Sequence, residues 1–171
     1  MEEIKRQTLA VLVDNEAGVL SQITRLFSRK GYNIESLAVG ITDTPEVSRI
    51  TIEVLADDDH ARLLAEQLHK LFPVHSVKLM PPETSIRKEL ILYKVHARND
   101  KRRNEIIQFA RKYSAYIVND TEGYMLLSMI DEEQRIEHVM AKLGRDEIVE
   151  VVRTGIVALE EGRNTIYDAA N

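Results

Sequence analysis

The chain has no cysteine and no tryptophan among its 171 residues, and only 7 glycines and 4 prolines. Without cysteine there are no disulfides, no thiolate metal sites and no cysteine nucleophile. The few scattered glycines leave no glycine-rich loop to cradle a phosphate. No apolar run approaches the roughly 18 residues that span a bilayer. Met1-Glu2-Glu3-Ile4-Lys5-Arg6 lacks the apolar stretch of a secretion signal, so no membrane association and a cytoplasmic location are expected. Positive charge is also in short supply, with 23 Lys and Arg against 28 Asp and Glu and a formal net charge of −5. The deficit is shared, 9 basic against 12 acidic residues up to Met80 and 14 against 16 beyond it. Neither part carries the electrostatic footprint of a nucleic-acid binder. The one dense basic cluster, Lys101-Arg102-Arg103, opens a predicted helix and reads as a solvated face.

What is present is periodicity. Leu9, Val11 and Val13 alternate along a strand of about Arg6 to Val13. Val19, Leu20, Ile23, Leu26 and Phe27 then follow the spacing of one buried helical stripe from about Gly18 to Lys30, and Gly31 is placed to end that helix. Leu37, Val39 and Ile41, a polar turn, and Ile50, Ile52 and Val54 predict a hairpin. Asp57-Asp58-Asp59 supplies capping oxygens for a second helix with Leu64, Leu68 and Leu71 inward, stopped at Phe72-Pro73 and followed by a strand from Val74 to Leu79. Met80-Pro81-Pro82-Glu83-Thr84-Ser85 reads as a linker.

The order then repeats. A strand is expected over about Arg87 to Ala97, a helix over Lys101 to Tyr113, and strands near Ala115 to Asn119 and Tyr124 to Met129. A helix from Glu132 to Leu143 and a strand from Ile148 to Arg153 close the set. The fold class expected is α+β, two ferredoxin-like βαββαβ units, each an antiparallel sheet with helices on one face. The boundaries are residues 1–80, a linker at 81–85, residues 86–160 and a tail at 161–171, with a short strand at Ile156 to Leu159 and frayed residues around Gly162-Arg163-Asn164.

Catalysis is hard to build from this inventory. The five histidines form no helical i, i+4 metal pair, and no serine sits in a Gly-x-Ser-x-Gly elbow. The middle strands of the first unit carry Ile50-Thr51-Ile52-Glu53, with no aromatic on which an RNA base could stack. One junction stands out, where the first strand runs through Asp14-Asn15-Glu16-Ala17 into Gly18-Val19-Leu20. Its residues allow two readings. Asn15 caps the helix and Gly18 merely begins it, a contribution of about 1 kcal/mol; or the first helical amides bind a carboxylate. Asn33, at the start of the next strand, is a second amide that weighs toward a ligand.

Asp14 to Leu20, then Leu26-Phe27-Ser28-Arg29-Lys30-Gly31-Tyr32-Asn33-Ile34-Glu35-Ser36-Leu37, resembles the regulatory small subunit of acetolactate synthase. Val47 to Ile52, Gln67 to Leu71, Arg87-Lys88-Glu89-Leu90 and Ile148 to Gly155 fit the same pattern. The resemblance implies that the first unit is an ACT domain, a small-molecule sensor that forms a homodimer. It implies a valine site between two such domains, lined by Asn15, Gly18, Val19 and Leu20 of one protomer and Asn33 and Ile34 of its neighbour. It also implies a non-catalytic chain that activates a catalytic large subunit and confers valine feedback in branched-chain amino acid biosynthesis. Thiamine diphosphate, magnesium and FAD would belong to that partner, with no cofactor or metal on this chain. A free-standing ACT-type amino-acid sensor acting on another partner is the alternative.

Overall fold

Two runs of strand and helix in the same order build two antiparallel sheets. The computed structural model describes residues 3–144 and 147–170; Met1 and Glu2 of the expected first unit and Asn171 of the expected tail lie outside them. The first run is β1 (Lys5–Asp14), α1 (Val19–Lys30), β2 (Ile34–Ile41), β3 (Val47–Ala56), α2 (Asp58–His69) and β4 (Val74–Leu79). The second is β5 (Ser85–His96), α3 (Asp100–Tyr113), β6 (Tyr116–Thr121), β7 (Tyr124–Asp131), α4 (Glu133–Leu143) and β8 (Ile148–Arg153). A short β9 (Val157–Glu160) and a 3-10 turn (Ile166–Ala170) follow. The sheet orders are β2-β3-β1-β4 and β6-β7-β5-β8, with β9 paired to β5. The second order repeats the first, which is the ferredoxin-like arrangement expected from the pattern.

Local chemistry accounts for the element ends. Gly31 takes a left-handed conformation (φ 77°), and its N–H closes the last turn of α1. Asp57 accepts from the His60 N–H at 2.8 Å and caps α2. That bond and a second from the His60 ring hold the Asp57 carboxyl below the usual range. Asn99 does the same for α3 through the Arg102 N–H.

Chain contacts divide the molecule into two units. Unit 1 runs through Arg87 and resumes at Ile156; unit 2 is Lys88–Gly155. In unit 1, Leu9 faces Ile52 and Val11 faces Ile50 across the β1–β3 ladder, and these pack with Val19, Ile23 and Phe27 of α1 and Leu64 and Leu68 of α2. Three residues expected inward are not inward. Leu20 is exposed, because it lies on the flank of the helical stripe. Val39 and Ile41 are half or more exposed, on β2, the edge strand of the sheet.

The tail is the larger departure. Instead of fraying, it returns to unit 1 and covers the sheet face that carries no helix. Ala158 and Ile166 are buried with Ala10, Leu12 and Met80. The sheet side chains hold its main chain: Arg49 donates to the Ala158 carbonyl (2.7 Å), Ser76 to that of Ile166 (2.6 Å) and Lys78 to that of Thr165 (3.1 Å). The reason is on the strands. Alternation leaves Ala10, Leu12 and Met80 as an apolar strip opposite the helices, and that strip needs a cover.

Unit 2 packs Ile91, Tyr93 and Val95 of β5 against Ile106 of α3 and Ile136 and Val139 of α4. Tyr93 is buried, its hydroxyl has no hydrogen-bond partner among the described residues, and burial pushes it up to about 12. Its unfolded value is about 10. The folded state therefore holds the phenol proton more tightly. The corresponding stability is intact below about pH 10 and declines as pH rises toward 12. Tyr93→Phe should be as stable as the parent at neutral pH, since no hydrogen bond is lost, and should remove the loss specific to this pH window. Alkaline denaturation of both proteins checks this; an unchanged profile would exclude Tyr93 as its source.

Candidate functional site

The site is built on the turn that carries the chain from β1 into α1. Asp14 ends the strand with its N–H donating to the Pro73 carbonyl (2.9 Å) and its carboxylate against the His75 ring (2.6 Å). Asn15 is latched to the β2–β3 turn. Its N–H donates to the Glu46 carbonyl (2.7 Å), its side-chain amide donates to the Pro45 carbonyl (2.9 Å), and its Oδ1 accepts from the Ser48 hydroxyl (3.1 Å). Asn15 therefore does not cap α1, and the bland reading of the junction fails on that point. Among the described residues no side-chain hydrogen bond caps the start of this helix.

Gly18 occupies the capping position at φ +90° and ψ −12°. That left-handed conformation is what glycine supplies at little cost, and a Cβ added there would meet nothing within 4 Å. The requirement is one of backbone shape, with open space beside it. Val19 roots the helix start in the core while Leu20 next to it is exposed. The Val19 N–H makes only a long 3.4 Å contact to the Glu16 carbonyl. The first turn holds no acidic residue, and the last holds Arg29 and Lys30. An uncapped helix start with no carboxylate in its first turn is a positive pole available to an anion.

Asn33 and Ile34 lie at the other end of α1. Asn33 donates from its amide to Glu35 (2.8 Å) and is exposed; Ile34 is half-buried at the start of β2, opposite Val54. The 12 residues of α1 separate the two groups by roughly 18 Å. A single chain thus brings Asn15, Gly18, Val19 and Leu20 together and keeps Asn33 and Ile34 apart from them.

Ser48 and Pro45 are participants that sequence reasoning did not single out. They reach Asn15 from 33 and 30 positions away, and only the β1–β3 register, with Val13 opposite Ser48, makes them neighbours. Among the described residues no group of three His, Asp or Glu is placed to hold a metal ion. Among the described residues no helix is long and apolar enough to cross a membrane.

With this geometry in hand, comparison with known proteins is direct. Residues 9–76 match the family model of the AHAS small subunit-like ACT domain, and residues 88–162 match that of the small subunit of acetolactate synthase. The probable acetolactate synthase small subunit of Archaeoglobus fulgidus is 36% identical over 157 residues, covering 92% of this chain and 98% of that one. The acetolactate synthase isozyme 3 small subunit of Escherichia coli is 35% identical over 159 residues, covering 92% and 96%. The crystal structure of the small subunit from Thermotoga maritima superposes with a TM-score of 0.87 at 29% identity, covering 94% of this chain and all of that one. The chain belongs to the acetolactate synthase small-subunit family, and its first βαββαβ unit is an ACT domain of the kind found there.

Proposed function

We propose that this chain is the regulatory subunit of an acetolactate synthase, raising the activity of a catalytic large subunit and making it subject to inhibition by valine. The observation that carries this reading is the uncapped start of α1, held open by Gly18 at φ +90°. The amides of Gly18, Val19 and Leu20 receive the valine carboxylate. The Asn33 oxygen of a second protomer accepts from its ammonium group, Asn15 shapes the turn from its latch on Pro45 and Ser48, and Ile34 contributes to the apolar wall.

Two copies are needed because α1 keeps the halves of the site apart. An antiparallel pairing of β2 edges is the arrangement that joins them. It lays the Ile34 end of one strand beside the Ile41 end of the other, and the Ile41 end is where the β2–β3 turn meets Asn15. The edge suits such pairing, since Val39 and Ile41 are exposed on it and an unpaired strand edge is a template for another. Thiamine diphosphate, magnesium and FAD are assigned to the catalytic partner. This chain's part is to bind the effector better in one state of the assembly than in the other. A tenfold preference is about 1.4 kcal/mol of coupling.

The test is reconstitution with the catalytic subunit, measuring activity against valine, leucine and isoleucine. Activation on adding this chain, and inhibition by valine, are expected. Leucine and isoleucine should act more weakly, by the roughly 1–3 kcal/mol that one methylene changes in an apolar pocket. The isolated chain should sediment as a dimer or larger. A monomer with undiminished valine binding would rule out the two-chain site. Valine binding without any effect on the catalytic subunit would favour the free-standing sensor.

A further inference from the structure

Phe72 stands apart from the rest of unit 1. Of the three phenylalanines, Phe27 is fully buried and Phe109 packs against the core of unit 2. Phe72 is 99% exposed, more than any other large apolar side chain among the described residues. Pro73 alone suffices to stop α2, so the ring has no part in ending the helix. Nor is it exposed because its turn is loose. Leu71 before it packs against the core, Pro73 and Val74 after it are buried, and the Val74 N–H donates to the Leu71 carbonyl (3.0 Å). An aromatic ring held in water on a fixed turn forfeits the gain that burial would bring. Such side chains are enriched where another protein binds.

The turn is fastened to the candidate site. The Pro73 carbonyl accepts from the Asp14 N–H, and Asn15 next to it donates to the Pro45 and Glu46 carbonyls. Three loops, residues 14–18, 42–46 and 70–73, therefore share one end of unit 1. They carry Asp14, Glu16, Asp43 and Glu46 against the single cation Lys70. Asp14 faces His75, while Glu16, Asp43 and Glu46 form no ion pair among the described residues. The ring thus projects from an acidic end.

A second copy of this chain fits that surface poorly. The sheet order β2-β3-β1-β4 places β4, which follows Phe72, at the edge opposite β2, roughly 14 Å away at the usual strand spacing. Pairing of β2 edges therefore leaves the ring uncovered. Pairing of this end with itself about a twofold axis would set carboxylates against carboxylates. We propose that Phe72 is the anchor by which this chain docks on the catalytic large subunit, its ring in an apolar pocket of that partner and the neighbouring carboxylates facing a basic rim. The identity of the partner rests on the reading of this chain as the regulatory subunit. A contact made here lies one hydrogen bond from Asp14, beside the turn assigned to the effector.

The experiment measures association of the full chain with the catalytic large subunit by biolayer interferometry, beside activation, for the parent, Phe72→Ala, Phe72→Glu and Phe72→Leu. Phe72→Ala should weaken association by about tenfold or more, as truncation of an interface anchor does, and Phe72→Glu should weaken it further. The concentration of this chain giving half-maximal activation should rise by the same factors. Phe72→Leu, which keeps an apolar anchor, should stay within about threefold of the parent. Nearly the whole ring is in solvent, so urea midpoints and the valine affinity of the isolated chain should match the parent in all three variants. Association of the parent should slow as salt rises, and Asp43→Lys should slow it at low salt. Association indifferent to salt and to Asp43→Lys would overturn the basic rim. Parent-like association of Phe72→Glu would overturn the docking site. So would loss of self-association in Phe72→Glu by sedimentation, which would give the ring to a second copy. A parent that associates without activating would overturn the regulatory reading and leave Phe72 decided by association alone. A parent that does not associate with the catalytic subunit would overturn both.

Discussion

Gly18→Asp should abolish inhibition by valine while leaving activation of the catalytic subunit largely intact. Two effects act in the same direction. On the proposed reading the new carboxylate stands where the effector carboxylate docks, and two like charges about 5 Å apart at an effective dielectric of about 20 repel by roughly 3 kcal/mol. That alone is a loss of about a hundredfold in affinity. The aspartate oxygen can also bond the free helical amides itself, as capping residues do, and so compete with the ligand for its donors. A clash within the chain plays no part, since a Cβ at Gly18 meets nothing within 4 Å.

Backbone strain is the one confounding contribution, because Gly18 sits at φ +90°. Gly18→Asn controls for it. Asparagine has the same size, the same demand on φ and the same capping ability, but no charge, and it tolerates the left-handed region better than most residues. The asparagine variant should therefore keep a measurable part of the valine affinity that the aspartate variant loses. Calorimetric titration of both, beside inhibition of the reconstituted enzyme, decides the matter. Parent-like valine affinity in Gly18→Asp would move the effector site elsewhere.

The second large effect concerns stability. Arg87→Ala should destabilise unit 1 by about 3 kcal/mol, the scale of breaking one partner out of a buried ion pair. Glu53 on β3 is only 1% exposed, and the Arg87 guanidinium meets it at 2.7 Å. Thr8 donates to the same carboxylate at 3.2 Å and Arg6 lies at 3.8 Å, so the charge keeps some compensation and the loss falls at the lower end of the usual range. Removing the charge together with its partner, in Glu53→Gln with Arg87→Met, should recover most of the difference, because a buried pair is costly to leave half-made but not to replace. Urea unfolding of the three proteins, followed at unit 1, is the measurement. Equal midpoints for Arg87→Ala and the parent would show that Arg6 and Thr8 suffice.

Arg87 also illustrates what could be read from the sequence and what could not. Its place at the head of a strand was legible from the alternation that follows it, yet its side chain serves the unit before the linker. Alternation reports which residues share a face; it does not report what lies against that face. The same limit explains Val39 and Ile41, whose pattern predicts a strand correctly but whose exposure follows from β2 being an edge. It explains the tail as well, since the apolar strip joins Ala10 and Leu12 of β1 to Met80 at the end of β4, and only the sheet order assembles it. Gly31 and Asp57 were legible because their causes are local. The anchoring of Asn15 was not, because its partners lie about 30 residues away and are set by register. What the sequence did mark was the chemistry of the junction itself, an apolar strand ending at a glycine that opens a helix.

The separation of Asn33 from Gly18 by the length of α1 has a genetic consequence under the two-chain reading of the site. Each site draws one half from each chain. A chain damaged at Gly18 and a chain damaged at Asn33 are both deaf to valine when alone. Mixed, they form heterodimers in which one site carries both lesions and the other carries neither. Two feedback-resistant alleles of this protein would thus restore partial sensitivity to each other, whereas two alleles damaged at the same end of the helix would not.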